Sequence, residues 1–520
     1  MNRNIMIDQM LDLKQKWDLI IIGGGATGLG AAIEAGARGL KTILLEQHDF
    51  AKGTSSRSTK LVHGGVRYLA QGNIALVMEA LRERGLLKKN APHLVKDQSF
   101  IIPNYKWWDM PFYTIGLMIY DFMAGRLSLG KSRAYSKKST LLNIPTLIAK
   151  DLCGGVVYHD GQFDDSRLAI NMAQTFIENG GTALNYMKVS GLLKKDGKIS
   201  GVKVIDQESG SEYEISSEVV LNATGIFVDN LIKMDDDGAR KMVSPSQGVH
   251  LVVDKSFVPG DFAIMIPKTR DGRVLFAVPW HGKVVIGTTD VKKEDCELEP
   301  KPLDEEIDFI LETAGRFLAI PPKREDIRSV FAGLRPLVAP KNNRTKTKEI
   351  SRGHSINISK SGLVTIFGGK WTTYRQMAED VINKVIINSI LKAPKANTKT
   401  LKIHGYKENA DFNNPLYFYG SDEENILSLI DQDAALGELI SEKLNIVKAQ
   451  VVWGVCNEMA RTVEDFLARR TRALLLDAKE SVKMAPMVAK IMAAELHYNE
   501  TWEMDQINEY KKVAKNYILQ

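Results

Sequence analysis

The feature that most constrains the fold of this chain is the stretch "WDLIIIGGGATGLGAAIEAGARGLKTILLEQ", residues 17–47. The apolar run before the glycines is typical of a strand buried on both faces, and the alanine-rich segment after them is typical of a helix. A second strand follows over residues 41–45. The pattern predicts a βαβ unit, and therefore an α/β fold at the start of the chain.

Three glycines in this unit, Gly23, Gly25 and Gly28, form the G-x-G-x-x-G pattern of a dinucleotide site. One glycine makes the tight turn, one lets the backbone approach a pyrophosphate, and one lets helix and strand pack closely. Glu46 closes the second strand and would accept hydrogen bonds from a ribose. The glycine motif alone is weak evidence, but its frame of strands, helix and acid favours a dinucleotide site over a plain glycine-rich turn.

Length, charge and cysteines exclude several classes of protein. A chain of 520 residues predicts two or three domains, and its net charge of +6 is mild. Basic residues do not cluster with aromatic ones, so we expect no nucleic-acid partner. Cys153, Cys296 and Cys456 lie far apart, which suggests no disulfide framework and no metal site. The N-terminus has no apolar core of a secretory signal, so we expect a cytoplasmic protein.

The rest of the chain divides into a β-rich region and a helical one. Strand patterns include "KISGVKVID", "GVHLVVD", "RVLFAVPW" and "KVVIGTTD", and "LVTIFGGK" leads into a helix. After a polar linker with "APKANTK", the patterns become helical, as in "AQVVWGVCNEMARTVEDFLARRTRALLLD". We therefore expect a separate C-terminal helical domain over residues 391–520.

Several segments, taken together and in this order, resemble the FAD-dependent glycerol-3-phosphate dehydrogenases, which are respiratory, quinone-linked flavoproteins. They are "DLIIIGGGATGLG", "GTSSRSTKLVHGGVRYL", "GLRPL", "FGGKWTTYR" and "EMARTVEDFLARRTRALLLD". The resemblance covers nearly the whole chain, and "KLVHGGVRYL" and "MARTVED" are its most specific parts. It implies noncovalent FAD as the cofactor.

The resemblance also implies a fold: a mixed α/β (α+β) chain with a Rossmann-like FAD-binding domain, a β-rich substrate domain and a C-terminal all-helical domain. The oxidoreductase region spans residues 1–390. Within it we assign residues 15–95, 150–245 and 330–390 to FAD binding, and 96–149 and 246–329 to the substrate domain. No flavin or phosphate motif lies beyond Lys370 and Thr373, so we expect residues 391–520 to be dispensable for FAD chemistry.

The segment "TSSRSTKLVHGG" can lay hydroxyl groups and glycine amides along a pyrophosphate and a flavin. His63 could line the cofactor, serve structurally or anchor the flavin covalently. The cofactor residues that we predict are Gly23, Gly25, Gly28, Glu46, Thr54, Ser55, Lys60, His63, Gly64, Gly65, Gly225 and Gly369.

The substrate that the resemblance implies is sn-glycerol 3-phosphate, oxidised to dihydroxyacetone phosphate. The implied pocket residues are Arg67, Tyr68, His250, Arg335, Arg352 and Lys370. Among them we expect His250, Arg335 and Lys370 to be catalytic. His250 is the expected base because its ordinary pKa is near ~6.5, whereas arginines stay protonated. Arg335 lies in the apolar "FAGLRPLVA", where an unpaired guanidinium would be costly to bury, so it needs an anion. His354 is expected to be structural.

The family passes electrons to quinone, so the resemblance implies a peripheral protein on the inner face of the membrane. "YKWWDMPFYTIGLMIYDFMAGRLSLGKSR", residues 105–133, joins two tryptophans, an apolar run and basic residues. It could contact the membrane or be a buried helix. Two rivals remain: a glycerol-3-phosphate oxidase that reduces oxygen to peroxide, and a non-catalytic FAD-binding protein. The oligomeric state, a homodimer included, stays open.

Overall fold

The structure is a computed structural model that describes residues 1–12, 16–69, 72–269, 272–339 and 353–519. Two large sheets organise these residues, and a short hairpin lies near the C-terminus. The strands are β1 (Trp17–Ile22), β2 (Thr42–Leu45), β3 (Leu61–Val62), β4 (Val95–Asn104), β5 (Arg133–Ser136), β6 (Gly154–Phe163), β7 (Thr182–Leu184), β8 (Met187–Lys195), β9 (Lys198–Asp206), β10 (Glu212–Asn222), β11 (Val243–Asp254), β12 (Ala263–Ile266), β13 (Leu275–Trp280), β14 (Lys283–Gly287), β15 (Val291–Lys292), β16 (Ser329–Val338), β17 (His354–Ile358), β18 (Val364–Gly368), β19 (Leu439–Ser441) and β20 (Ile446–Val447).

Helices cover the sheets and make up most of the last quarter of the chain. They are α1 (Arg3–Leu11), α2 (Ala26–Ala37), α3 (Val66–Leu69), α4 (Ile74–Asn90), α5 (Asp109–Ala124), α6 (Lys137–Asn143), α7 (Asp165–Glu178), α8 (Val228–Asp235), α9 (Asp304–Gly315), α10 (Tyr374–Ile387), α11 (Glu423–Gln432), α12 (Lys448–Glu458), α13 (Ala473–Leu476), α14 (Ala478–Leu496) and α15 (Glu500–Ala514). Among the described helices, none combines the length and the apolar character needed to cross a membrane.

The first sheet contains the predicted βαβ unit at its centre. Its order is β17-β18-β10-β1-β2-β7, and β8 and β9 extend it from β10. The strand β1 runs parallel to both β2 and β10 and is almost wholly buried, which explains its unbroken apolar sequence. Helix α2 returns across the sheet and packs between α7 and α10. The predicted Rossmann-like arrangement is therefore confirmed.

The second sheet follows the order β15-β11-β14-β13-β12-β4-β6-β3, with β16 paired to β11 and β5 to β6. The long strand β11 places His250 opposite Phe331 of β16, and Ser246 opposite Arg335. Three strands of this sheet, β3, β6 and nearly all of β16, come from segments that the sequence division assigned to FAD binding. The sheet therefore draws its strands from both predicted parts of the oxidoreductase region.

The C-terminal region packs against both sheets. Phe418, Tyr419 and Trp453 share one apolar cluster with strand β1 and helix α2. A second cluster joins α14 to Phe331 and Trp280 of the second sheet. The region is mostly helical but also holds the hairpin β19-β20, so it is not purely helical. The apolar core of this region is therefore continuous with the core of the two sheets.

Helix α5 presents an apolar face to solvent. Phe122 is 86% exposed and Trp107, just before the helix, is 73% exposed. The opposite face is buried through Leu117 and Tyr120. The other exposed large apolar side chains on this face are Trp108, Phe112, Ile115, Met118 and Ile119. The segment is therefore not the fully buried helix that was the alternative interpretation of residues 105–133.

Candidate active site

The glycine turn after β1 forms one wall of a cavity of about 220 Å³. Gly23 has φ +110°, and a Cβ there would lie 2.7 Å from the carbonyl oxygen of Ala223. A Cβ on Gly28 would lie 1.8 Å from the carbonyl oxygen of Gly23. Gly25 caps α2 and lines the cavity. A side chain on Gly23 or Gly28 would therefore collide with the backbone. Gly25 instead faces the cavity at the start of α2.

Glu46 lies at the end of β2 and lines the same cavity. Its carboxylate accepts hydrogen bonds from the backbone N–H groups of Gly24 at 2.6 Å and His48 at 2.8 Å. Burial raises the pKa of Glu46, and the two backbone donors oppose that shift. Ser55 and Gly225 also line this cavity. The Ser55 hydroxyl accepts from the N–H of Ala26, in the first turn of α2.

A second, larger cavity of about 280 Å³ brings together residues that are far apart in the sequence. Its lining includes Tyr68, His250, Arg335 and Lys370, which were predicted to bind substrate, as well as His63 and Gly65. The two cavities adjoin, because they share the lining residues Thr54, Pro336, Gly368, Gly369, Lys370 and Trp371. Most of the predicted cofactor residues and four of the six predicted substrate residues thus line one continuous cleft between the two sheets.

Arg335 lies on β16 at the polar side of the larger cavity. Its Nη1 donates to the carbonyl oxygens of Gln247 and Thr289, and its Nη2 donates to the Thr288 hydroxyl at 3.0 Å. The Asp290 carboxylate lies 3.7 Å from Nη1 and accepts a short hydrogen bond from Ser246. The anion that the sequence demanded for Arg335 is therefore supplied in part by Asp290, while a quarter of the side chain stays exposed.

His250 lies on β11, 2% exposed, and stacks on the Phe331 ring with a centroid distance of 4.9 Å. Its Nε2 is 2.9 Å from the Thr59 hydroxyl oxygen. Burial, with the nearby charges of Arg335 and Lys60, holds the pKa of His250 well below its ordinary value. The sequence argument took the ordinary pKa as the reason for a basic role, and the structure removes that reason: the imidazole is neutral at neutral pH but weakly basic.

Lys370 begins the turn after β18, and both cavities include it in their walls. Its ammonium lies 3.9 Å from the centroid of the Tyr68 ring, at cation–π distance. The two glycines before it, Gly368 and Gly369, have φ near +80°, a conformation that favours glycine. The "FGGK" segment therefore turns sharply at the junction of the two cavities.

Four other predicted site residues do not line either cavity in the structure or lie outside the part that it describes. The Lys60 ammonium is fully buried, donates to Asp165 and to the Ser56 carbonyl at 2.7 Å each, and lines neither cavity, so its side chain does not face a cofactor there. Burial lowers the pKa of Lys60 to about 7. Gly64 packs against Leu81 and Tyr120 and likewise lines neither cavity. Arg352 and the side chain of Arg67 lie outside the described residues.

Sequence reasoning missed four charged residues of the larger cavity. They are Arg57, Asp160, Arg273 and Asp290. Arg57 stood inside the quoted "TSSRSTK" and Asp290 ended a predicted strand, so both positions carried a usable signal. Asp160 is buried and accepts hydrogen bonds from Arg84, Tyr120 and the N–H of Gly64. It therefore fixes the backbone next to His63.

The cleft fits an extended dinucleotide. The start of helix α2 and the glycine turn face the smaller cavity, where backbone N–H groups and the helix dipole favour a pyrophosphate. Glu46 also lines that cavity, and each of its carboxylate oxygens, which already accepts one backbone N–H, has a second lone pair that can accept from a ribose. The larger cavity carries the polar and cationic residues at the other end. This division matches a cofactor whose phosphates lie at one end and whose reactive ring lies at the other.

Comparisons with known proteins agree with this geometry. The family model described as "FAD dependent oxidoreductase" matches residues 18–375, and that described as "C-terminal domain of alpha-glycerophosphate oxidase" matches residues 363–503. The mitochondrial glycerol-3-phosphate dehydrogenase of Schizosaccharomyces pombe is 38% identical over 99% of this chain and 89% of that protein. The chain belongs to the FAD-dependent glycerol-3-phosphate dehydrogenase family. The predicted family, fold class and FAD cofactor are thereby confirmed.

Solved structures add detail to this membership. The glycerol-3-phosphate dehydrogenase of Bacillus halodurans, solved in complex with FAD, matches with a TM-score of 0.80 and 30% identity over 99% of this chain and 98% of that one. The L-alpha-glycerophosphate oxidase of Mycoplasma pneumoniae, with FAD bound, has a TM-score of 0.57 and 16% identity over 75% of this chain and 98% of that one. The second match shows a shared fold. The individual roles of the site residues remain predictions.

Proposed function

We propose that the protein oxidises sn-glycerol 3-phosphate to dihydroxyacetone phosphate and passes the electrons to a membrane quinone, from the cytoplasmic face of the membrane. The observation that carries this proposal is the shared cavity of His250, Arg335, Lys370 and Tyr68, which adjoins the dinucleotide cavity. Family membership supports the substrate, since the relatives named above are glycerol-3-phosphate dehydrogenases. When bound, FAD would accept the hydride from the secondary carbon.

Arg335 and Lys370 are the cations that we assign to the substrate phosphate. Arginine offers a planar fork suited to two phosphate oxygens, and lysine offers a point charge. Arg335 is already oriented by hydrogen bonds to Thr288 and to two backbone carbonyls, so little side-chain ordering is left to occur on binding. The Asp290 carboxylate beside Arg335 repels an anion that is placed wrongly. A phosphate is therefore favoured only where it faces the cations of Arg335 and Lys370.

His250 is the group to which we assign the alcohol proton, at Nε2 beside the Thr59 hydroxyl. The field of Arg335 lowers the pKa of the imidazole in the free protein. A substrate with two negative charges on its phosphate offsets that field, so binding raises the basicity of His250 at the moment when a base is required. The weak basicity of His250 in the free protein is thus compatible with its role as the base.

The exposed face of α5 supports contact with the membrane. Aromatic and aliphatic side chains cover that face, and the exposed residues Lys106, Arg126, Lys131 and Arg133 lie at or beyond its ends. Tryptophans, an apolar face and flanking cations are the features of a helix that lies in the interface of a bilayer. The buried side of α5 also contributes Leu117 to the apolar cluster of Phe100, Tyr158 and Met265, which line the larger cavity. An apolar route for a quinone ring would begin there.

Steady-state turnover distinguishes this function from its rivals. Purified protein should oxidise glycerol 3-phosphate with a soluble quinone analogue as acceptor, and should form little hydrogen peroxide in air. Stoichiometric peroxide without a benefit from quinone would identify an oxidase instead. No turnover with either acceptor, by protein that retains FAD, would favour a non-catalytic flavoprotein.

A further inference from the structure

The loop that follows β2 forms much of the cofactor site. Residues 46–48 and 51–55 line the smaller cavity, and Thr54 lines both cavities. The loop has no strand or α-helix, and Ala51 adopts φ +62°, which residues other than glycine rarely adopt. Its N–H donates to the carbonyl oxygen of Gly24 at 3.0 Å. A loop of this kind depends on outside contacts to keep its conformation.

The strongest outside contact is made through Asp49, which is fully buried in the loop. Its carboxylate accepts from Arg469 Nε at 2.5 Å and from Arg470 Nη1 and Nη2 at 2.7 and 2.9 Å. Burial would raise the pKa of Asp49, but the guanidinium groups of Arg470 and Arg469 outweigh it and lower the pKa. Asp49 is therefore a charged carboxylate that two consecutive arginines hold.

Both arginines belong to a π-helical turn, Asp465–Arg470, in the C-terminal region. π-Helical turns are rare, and they occur often at functional sites. The sequence shows helical patterns across this segment, but the chain leaves α12 at Met459 in a left-handed conformation. The irregular backbone brings two neighbouring guanidinium groups onto one carboxylate.

Two more contacts join the same C-terminal segment to the loop. Glu464 forms a short ion pair with Lys52, and Arg472 Nη2 donates to the carbonyl oxygen of Ser56 at 2.9 Å. Arg472 itself has φ +65° and bonds to Asp165 and Ser166. We call Glu464, Arg469, Arg470 and Arg472 the arginine clamp. The clamp touches the loop at residues 49, 52 and 56, yet none of its four members lines either cavity.

We propose that the arginine clamp holds the β2 loop in its FAD-binding conformation, so that FAD affinity depends on side chains that do not contact FAD. The clamp residues are positioning residues. This inference rests on FAD as the cofactor and is independent of the substrate. It reverses the expectation that residues 391–520 are dispensable for FAD chemistry, because truncation would leave Asp49 buried without its two cations.

The test compares the full-length holoprotein with Arg470→Gln. FAD released on serial dilution is followed by flavin fluorescence, which gives the Kd, and the melting midpoint is measured on the same samples. If the loop without its fork is binding-competent for about a tenth of the time, the Kd for FAD rises about tenfold. Arg470→Lys, which keeps the charge but loses the fork, should lie between the parent and Arg470→Gln.

Arg38→Gln is the matched control. Arg38 is buried, pairs with Glu34 at 2.6 Å, and lines neither cavity. It should lower the melting midpoint but leave the Kd for FAD within about twofold, since its loss leaves the loop population unchanged. A Kd unchanged in Arg470→Gln, or raised equally by Arg38→Gln, would overturn the proposal.

If Arg470→Gln does not fold, Arg470→Lys alone tests whether the clamp controls the β2 loop. Hydrogen exchange of the amides over residues 46–56 should then be faster than in the parent, together with a raised Kd for FAD. Unchanged exchange and unchanged Kd in folded Arg470→Lys would refute the clamp. The measurement contains no glycerol 3-phosphate, so its outcome does not depend on the proposed reaction.

Discussion

Replacing Arg335 with alanine should raise the KM for glycerol 3-phosphate steeply and leave FAD binding nearly unchanged. The guanidinium lies in the polar wall of the larger cavity, oriented by Thr288 and by two backbone carbonyls. The residue does not line the smaller cavity, where the pyrophosphate is expected. The substitution therefore separates substrate binding from cofactor binding.

The expected magnitude follows from the charges. Two unit charges about 4 Å apart attract by about 4 kcal/mol at an effective dielectric of about 20, and solvent in the vacated space should reduce the loss to about 2 kcal/mol. A loss of about 2 kcal/mol corresponds to a factor of about 30 in KM. Asp290, 3.7 Å from Nη1, adds to the effect because it loses its cation and faces the phosphate.

Three comparisons make the assay decisive. Arg335→Lys should recover only part of the loss, because lysine lacks the planar fork. The double variant Arg335→Ala with Asp290→Asn should recover another part, because it removes the repulsive carboxylate. Glycerol, which has no phosphate, should be a poor substrate that Arg335→Ala affects far less. An equal fractional loss with both substrates would show that Arg335 acts on the fold or the cofactor, and would refute the phosphate assignment.

Three other predictions follow from the site, the surface and the C-terminal contacts. His250→Asn should lower kcat by about 10²- to 10⁴-fold, which is the usual contribution of a general base. The pH profile of kcat/KM for the parent should show no inflection near pH ~6.5, because His250 of the free protein is already neutral there. An inflection at that pH that His250→Asn abolishes would contradict this. The double variant Ile115→Ser with Phe122→Ser should cosediment less with anionic vesicles than the parent. Ile387→Ser, which changes an exposed apolar residue on α10, is the control and should bind as the parent does. Equal binding of all variants would contradict the proposed membrane contact of α5. Burial would lower the pKa of His404, but its hydrogen bonds to Asp422 and Glu178 outweigh burial and raise the pKa to about 9. The charged imidazole therefore stabilises the fold by at most about 3 kcal/mol; this contribution is full below pH ~6.5 and disappears as the pH rises through 9. The difference in melting midpoint between the parent and His404→Gln should close over that pH range, and a constant difference would refute the assignment.

The parts of the fold with strong local patterns could be predicted from the sequence. The unbroken apolar run of β1, the glycines of the turn and the alanine-rich helix each have one structural solution, and Gly28 is packed as its position in the motif requires. The strand "GVHLVVD" lies within β11, and "LVTIFGGK" leads into α10. Local periodicity and turn chemistry determine these elements without help from distant contacts.

Other parts depend on contacts between distant residues and could not be predicted in this way. The sequence showed helical patterns over residues 449–477, but it could not show that ion pairs of Arg469, Arg470 and Arg472 with buried acids of the oxidoreductase region hold the segment in an irregular path. Lys60 was predicted to be a cofactor residue because it lies in the hydroxyl-rich segment "TSSRSTKLVHGG", yet its ammonium donates to Asp165, 105 residues later. The low pKa of His250 likewise arises from burial in a sheet that forms only in the folded chain.

The most direct test of the central claim is the anaerobic absorption spectrum of the purified protein before and after addition of glycerol 3-phosphate. The flavin band should bleach on addition of this substrate, stay unchanged with glycerol at the same concentration, and return when a soluble quinone is added without oxygen. A flavin that glycerol 3-phosphate does not bleach would contradict the proposed reaction. A bleached flavin that oxygen restores rapidly and quinone does not would contradict the proposed acceptor.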